Sequence, residues 1–308
     1  MNNLTHVAAA LAVALLAAAP VAAQELRIGT ASIGGAFFPV GQTISNLVNE
    51  YTDGGFSIVP VVTQGSVQNP RLVADGEVDL GITSADLAAD AVAGAGAYQG
   101  VEMQLAALGP LHPSVLHMVV TADSDIRTFD DLRGKRVAVG PAGGGTLGFL
   151  NQIMPIHDMT MEDIIPSFLS YGDGFSQLSD GNVDAALALS GYPAAAVMQA
   201  AASGDLRIVD FTPERLEQIL QQNPAYTTFD IPSEVYDMDQ DSIVIGVTNM
   251  LVVRSDMDEG QVRQIVSAIY DHLDEFAAEN ANGAQIDKDR ATQLAIPLHP
   301  AAAAYFGQ

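Results

Sequence analysis

The sequence contains no cysteine, which removes disulfides, thiol nucleophiles and cysteine metal sites together. Its six histidines, at positions 6, 112, 117, 157, 272 and 299, show no metal-ligand spacing such as HExxH, so no metal or other cofactor is expected. Basic residues are scarce, 12 against 37 acidic, for a formal net charge of −25. A phosphate backbone needs a basic footprint, so nucleic acid is excluded as a partner. The acidic excess reads as a solvated surface, and any attraction for an anion must therefore be local. Beyond the N-terminus no apolar run reaches the length of a membrane span; the longest, residues 243–253, is interrupted by Thr248 and Asn249.

What is present begins with an apolar stretch over residues 11–19, followed by Pro20, Val21, Ala22 and Ala23. An apolar core before small residues is the pattern of a secretory signal peptide covering residues 1–23, although no Lys or Arg precedes it. The mature chain is then expected to be exported, periplasmic and monomeric.

The most informative pattern is a repeat of features roughly 105 to 109 residues apart. Residues 26–29 and 136–139 read as short strands. Each is followed by a glycine-rich loop, Ser32-Ile33-Gly34-Gly35-Ala36 and Gly140-Pro141-Ala142-Gly143-Gly144-Gly145-Thr146, and then by a helical stretch, 38–51 and 147–154. Second strands follow at 56–63 and 164–170, ending in polar turns at Gln64-Gly65-Ser66 and Tyr171-Gly172-Asp173-Gly174. Both copies then pass through a short helix to near-identical punctuation, Asp75-Gly76-Glu77-Val78-Asp79 and Asp180-Gly181-Asn182-Val183-Asp184. Glycine there suits the left-handed end of a helix, and the following Val-Asp opens a third strand. Those strands end at Ser84-Ala85-Asp86 and Ser190-Gly191-Tyr192.

Two βαβαβ units follow, each a parallel sheet with right-handed crossovers and helices on both faces. Ligands in such sheets bind beyond the carboxyl ends of the strands, where all six polar loops emerge. Residues 116–123 and 249–256 read as two strands crossing between the lobes. They predict a hinge, a first lobe of residues 24–120 with 250–308, and a second of 121–249. The chain after Val253 is expected to return to the first lobe with helices at 258–279 and 287–294.

Gly143 to Gly148 spell GxGxxG between a strand and a helix, the fingerprint of a dinucleotide site. No acidic residue closes the next strand as that reading requires, since Glu162 and Asp163 precede it. A P-loop fails because Thr146 stands where lysine is needed. A serine hydrolase lacks a GxSxG elbow, though a triad assembled in space stays open. What the glycines do supply is backbone N–H at a helix start, suited to an anion. Phe37, Phe38, Tyr171 and Tyr192 adjoin these loops as core or ligand contacts. Arg27, Arg133, Lys135 and Arg136 fall at strand starts, away from the predicted cleft, leaving chiefly Arg71 and Arg254 near it. Carboxylate recognition would then rest on backbone N–H, hydroxyl and amide groups.

Several stretches together resemble the TAXI family, the extracytoplasmic solute receptors of tripartite ATP-independent periplasmic (TRAP) transporters. They are residues 34–41, 64–72, 76–80 and 129–137, the glycine-rich loop ending in Thr146, and Ile296-Pro297-Leu298-His299-Pro300. The resemblance implies a type II periplasmic-binding-protein fold and a non-enzymatic protein. It implies a small organic acid such as glutamate, glutamine or 2-oxoglutarate held between the lobes, and handover to an integral-membrane TRAP permease. Carried onto matching positions, it implies ligand contacts at Gly35, Phe37, Gln64, Ser66, Asn69, Ser84, Asp86, Gly145, Thr146, Ser190 and Tyr192, with Asp86 accepting from a ligand amine. A sensory protein of the same fold, or an enzyme on it, are the alternatives.

Overall fold

A computed structural model describes residues 24–307. The expected signal peptide lies outside them. One ten-stranded sheet runs through the molecule. Its first half is the parallel set β2 (Phe56–Val61), β1 (Gln24–Gly29) and β3 (Leu80–Ser84). Its second half is the parallel set β7 (Ala185–Ser190), β5 (Arg136–Ala138) and β6 (Ile165–Ser167). Between them lie two long antiparallel strands, β4 (Leu105–Thr121) and β10 (Ser242–Arg254), with β8 (Leu206–Ile208) beside β4 and β9 (Tyr226–Ile231) beside β10.

The helices α1 (Phe37–Tyr51), α2 (Asn69–Ala74) and α3 (Ala85–Ala93) cover the first half of the sheet. The chain returns to it with α8 (Glu259–Tyr270), α9 (Leu273–Glu279) and α10 (Pro300–Tyr305). The second half carries α4 (Gly145–Ile153), α5 (Tyr171–Ser179), α6 (Ala195–Ala201) and α7 (Pro213–Gln222). Each half thus buries both sheet faces. Leu26, Ile28 and Leu251 pack against α1 and α8, whereas Met250 and Val252 on the opposite face pack against α2 and α3. In the second half, Phe149, Ile153 and Ile219 fill one face, and Phe175, Val197 and Tyr236 the other.

The repeat appears as structure. Gly76 and Gly181 both take φ +72° at the ends of α2 and α5. Asp79 accepts from the Arg27 N–H at 2.7 Å, and Asp184 accepts from the Arg136 N–H at 2.8 Å. In each half one carboxylate therefore fastens the lead into the third strand to the first strand.

The crossing strands begin earlier than the sequence suggests. Side chains of β4 change from the first core to the second between Leu111 and Val115, so residues 115–120 pack with the second half. In β10 the change falls between Val247 and Met250. The C-terminal helices also differ. Residues 258–279 divide into α8 and α9 at Asp271-His272, residues Lys288–Gln293 form a 3₁₀ turn, and α10 begins at Pro300. Proline at the first position of α10 costs no hydrogen bond, which explains a helix where the sequence offered only a proline motif.

Candidate functional site

The loops after β1, β2, β5, β6 and β7 meet across the middle of the molecule. They wall a cavity of only about 10 Å³. That is room for about one water molecule. Gly35, Phe37, Gln64, Ser66, Gly145 and Ser190 line it, together with Ala31, Ser32, Ala36, Gly65, Tyr171 and Leu189. None of these side chains carries a charge, so the field inside is set by dipoles.

The walls touch through direct hydrogen bonds between the two halves. Gly143 N–H donates to Gln64 Oε1 at 3.0 Å, and Gln68 N–H donates to the Gly143 carbonyl at 3.3 Å. Ala36 N–H, at the start of α1, donates to Ser190 Oγ at 2.9 Å. Ala196 N–H donates to the Gly34 carbonyl at 3.0 Å. On the far side Tyr226 OH donates to Asp86 Oδ2 at 3.0 Å. Burial, reinforced by the Asp86 carboxylate, raises the Tyr226 pKa well above its ordinary value, so the phenol stays a donor. The cleft is closed.

Glycine is required where the walls come closest. Gly34 and Gly65 have φ of +102° and +110°. A Cβ on Gly35 would stand 2.9 Å from the Tyr171 ring, and one on Gly143 would stand 2.9 Å from Gln64 Cβ. No side chain caps α4, whose first turn opens at Gly145 on the cavity. Its positive end and free N–H groups suit an anion, and an amide oxygen of Gln64 already occupies the neighbouring donor.

Other sequence-derived positions have different work. Thr146 is fully buried, its hydroxyl 2.8 Å from Tyr171 OH while accepting from Leu189 N–H at 2.9 Å. Its hydroxyl is thus committed to joining α4 to α5 and β7, and it does not line the cavity. Asn69 is likewise buried. It donates to the carbonyls of Gly29, Thr30 and Ile82 and accepts from Thr63 OH, tying the ends of β1, β2 and β3 together. Ser84 is buried with its hydroxyl unpartnered, and Asp86 is engaged by Tyr226. Tyr192 is half-buried, with its carbonyl accepting from Gln285.

Arg254 and Arg71 are not at the cleft. Because β10 runs antiparallel to β3, Arg254 emerges at the opposite edge and pairs with Asp256 at 3.0 Å. Both arginines border an outer depression with Asp75 and Glu102. Among the described residues no basic side chain lines the interlobe cavity. Tyr171 is the lining residue whose role the sequence left undecided between core and ligand contact, and its signal was its place in a glycine-flanked turn. Ser32 and Ala36 lay in the first glycine-rich loop without being singled out.

The same architecture occurs in solved structures of low sequence identity. A putative L-cystine ABC transporter protein from Listeria monocytogenes is 12% identical, covering 86% of this chain and 99% of its own, with a TM-score of 0.55. A structure from work on glutathione import through GshT and the cystine ABC importer TcyBC of Streptococcus mutans matches at 12% identity, covering 86% and 97%, with a TM-score of 0.53. An ancestral arginine-binding protein bound to arginine matches at 15% identity, covering 83% and 97%, with a TM-score of 0.51. The fold is the two-lobed, type II periplasmic-binding-protein fold. A family model matches residues 28–307, nearly all of the described chain, and the protein belongs to the NMT1-like family.

Proposed function

We propose that this protein is an extracytoplasmic solute-binding protein, which captures a small organic acid between its lobes and delivers it to an integral-membrane permease. The observation that carries the reading is the closed, uncharged cavity between loops of both halves, with the uncapped start of α4 directed at it. An acid group bound there would replace Gln64 Oε1 at the glycine-rich loop and accept charge-assisted hydrogen bonds from backbone N–H. Gln64, Ser66, Ser190 and the backbone at Gly35 and Gly145 are the contacts, and Phe37 and Tyr171 the apolar walls. The short reach of these bonds allows an anion to bind a chain of net charge −25. Closure excludes water around the acid, and opening releases it.

The residues that resemble the TAXI receptors favour a TRAP permease as the partner. The solved structures of like fold include proteins of ABC importers, which makes an ABC permease the second reading. Purified protein denatured and examined by mass spectrometry for released small molecules tests the binding role. Recovery of an organic acid that rebinds in calorimetry and is returned unchanged supports it; turnover of that acid would make the protein an enzyme. Reconstituted uptake with each class of permease decides the partner.

A further inference from the structure

Buried polar atoms without partners mark places where a protein awaits something else to satisfy them. Ser84, His112, Asn249 and Asn282 all carry such atoms, and all four are buried. Three occupy adjacent strands. Ser84 on β3 stands in register with Asn249 on β10. The Asn249 amide donates to the His112 carbonyl at 2.7 Å and to Ser114 Oγ at 2.8 Å on β4. Alternation along the strands puts Ser84 and Asn249 on the face of Ile82 and Leu251, the face α1 covers.

The His112 ring meets Phe37, the first residue of α1, edge to face at 5.8 Å. Phe37 also lines the interlobe cavity, so the polar row and the cavity share a wall. Asn282 closes on the same point from the other side. A Cβ on Gly191 would collide with both Asn282 Oδ1 and the His112 ring, so glycine beside Ser190 is what lets them converge.

The row has a definite chemical sense. With their NH₂ groups donating elsewhere, Asn249 and Asn282 are fixed with Oδ1 free to accept only. Burial lowers the His112 pKa to about 3, leaving a neutral ring whose two nitrogens are both unpartnered. No lysine or arginine belongs to the row. The neutral ring and the Ser84 hydroxyl can each donate one bond, but only a ligand group that itself donates satisfies Asn249 Oδ1, Asn282 Oδ1 and the unprotonated ring nitrogen, whereas a carboxylate would face those fixed acceptors with no cation to offset them.

We propose that Ser84, His112, Asn249 and Asn282 form a second subsite, at the hinge end of the cleft, which selects an acid whose far end is a hydroxyl, amide or amine over a dicarboxylate. The inference rests on the small-acid reading above, with the carboxylate held at the start of α4. It narrows that reading by disfavouring 2-oxoglutarate and the charged side chain of glutamate.

Calorimetry with matched probes tests it: L-glutamine against L-glutamate, and 4-hydroxybutyrate against succinate, on wild type, Ser84→Ala and His112→Leu. Ser84→Ala deletes only an unpartnered hydroxyl and is expected to melt no lower than wild type when unliganded, whereas His112→Leu also removes the edge-to-face contact with Phe37, so its unliganded melt serves as the check that it is folded. The donor-ended acid of each pair is expected to bind wild type at least tenfold more tightly, and that preference should collapse toward equality in the variants. Tighter binding of the dicarboxylates, or a preference unchanged in both folded variants, overturns the subsite and leaves small-acid binding standing. A wild-type protein that binds neither class overturns the small-acid reading and the subsite with it.

Discussion

Single residues here are divided between holding the cleft and holding the fold, and Thr146 shows how sharply. Its hydroxyl joins Tyr171 and Leu189 in full burial, so replacing it removes partners from two buried groups. Thr146→Val is expected to destabilise the protein by about 1–3 kcal/mol. Thr146→Asp should cost more, since it buries a carboxylate without a cation. Urea melts of both variants measure this, and a Thr146→Asp protein as stable as wild type would return the hydroxyl to the ligand. Two buried histidines carry a second prediction. Burial lowers the pKa of His112 to about 3 and that of His117 to about 4. Between those values and about 6.5 the unfolded chain binds protons that the folded chain does not, so stability must fall as the pH falls. The slope is about 1.4 kcal/mol per pH unit for each histidine. Denaturation midpoints from pH 7 to pH 4.5 should show it, and His112→Leu should reduce it; a flat profile would contradict their buried, neutral state.

At the scale of elements, the repeat is what organises the molecule. The turns after α2 and α5 have the same φ of +72°, and an added Cβ at Gly181 would meet no atom within 4 Å. At Gly76 the nearest atom is the end of the flexible Arg254 side chain, at 3.9 Å. Substitution therefore costs the left-handed conformation alone, about 1–2 kcal/mol for a residue with a Cβ. Gly76→Ala and Gly181→Ala should each lower stability by that amount, and by nearly the sum when combined, because the turns belong to separate halves. Equilibrium unfolding of the two single variants and the double checks the symmetry. This punctuation was readable from the chain because Asp-Gly-X-Val-Asp acts locally. The start of the strand crossing was not, because Gly109, Pro110, His112 and Pro113 break the apolar run from Leu105 where β4 continues as a strand, and nothing local distinguishes a residue packed on α1 from one packed on α5.

For the whole molecule the decisive property is closure. The bonds from Gly143 to Gln64, Ala36 to Ser190 and Tyr226 to Asp86 all join one half to the other and all must break if the cleft opens. Tyr226→Phe removes one of them and leaves the stacking on Phe149 in place. The unliganded variant is expected to show a larger radius of gyration than wild type in small-angle scattering, and the two should coincide once a bound acid holds the lobes together. Equal radii without ligand would assign the Tyr226–Asp86 contact no part in closure.

The sequence by itself determined the two βαβαβ units, the gathering of their loops on one edge and the glycine positions. These follow from short-range rules: strand and helix periods, left-handed turns and the handedness of crossovers. Tertiary structure decided which polar side chains remain free. Asn69 and Thr146 look like ligand contacts until the carbonyls and hydroxyls around them are in place, and Arg254 looks close to the cleft until β10 is seen to run antiparallel to β3. His112 and Asn249 pass as interruptions of apolar strands until folding sets them in one row and leaves their hydrogen bonds unmade. A side chain's hydrogen-bonding capacity is fixed by its chemistry, but what consumes that capacity is supplied by residues distant in the chain.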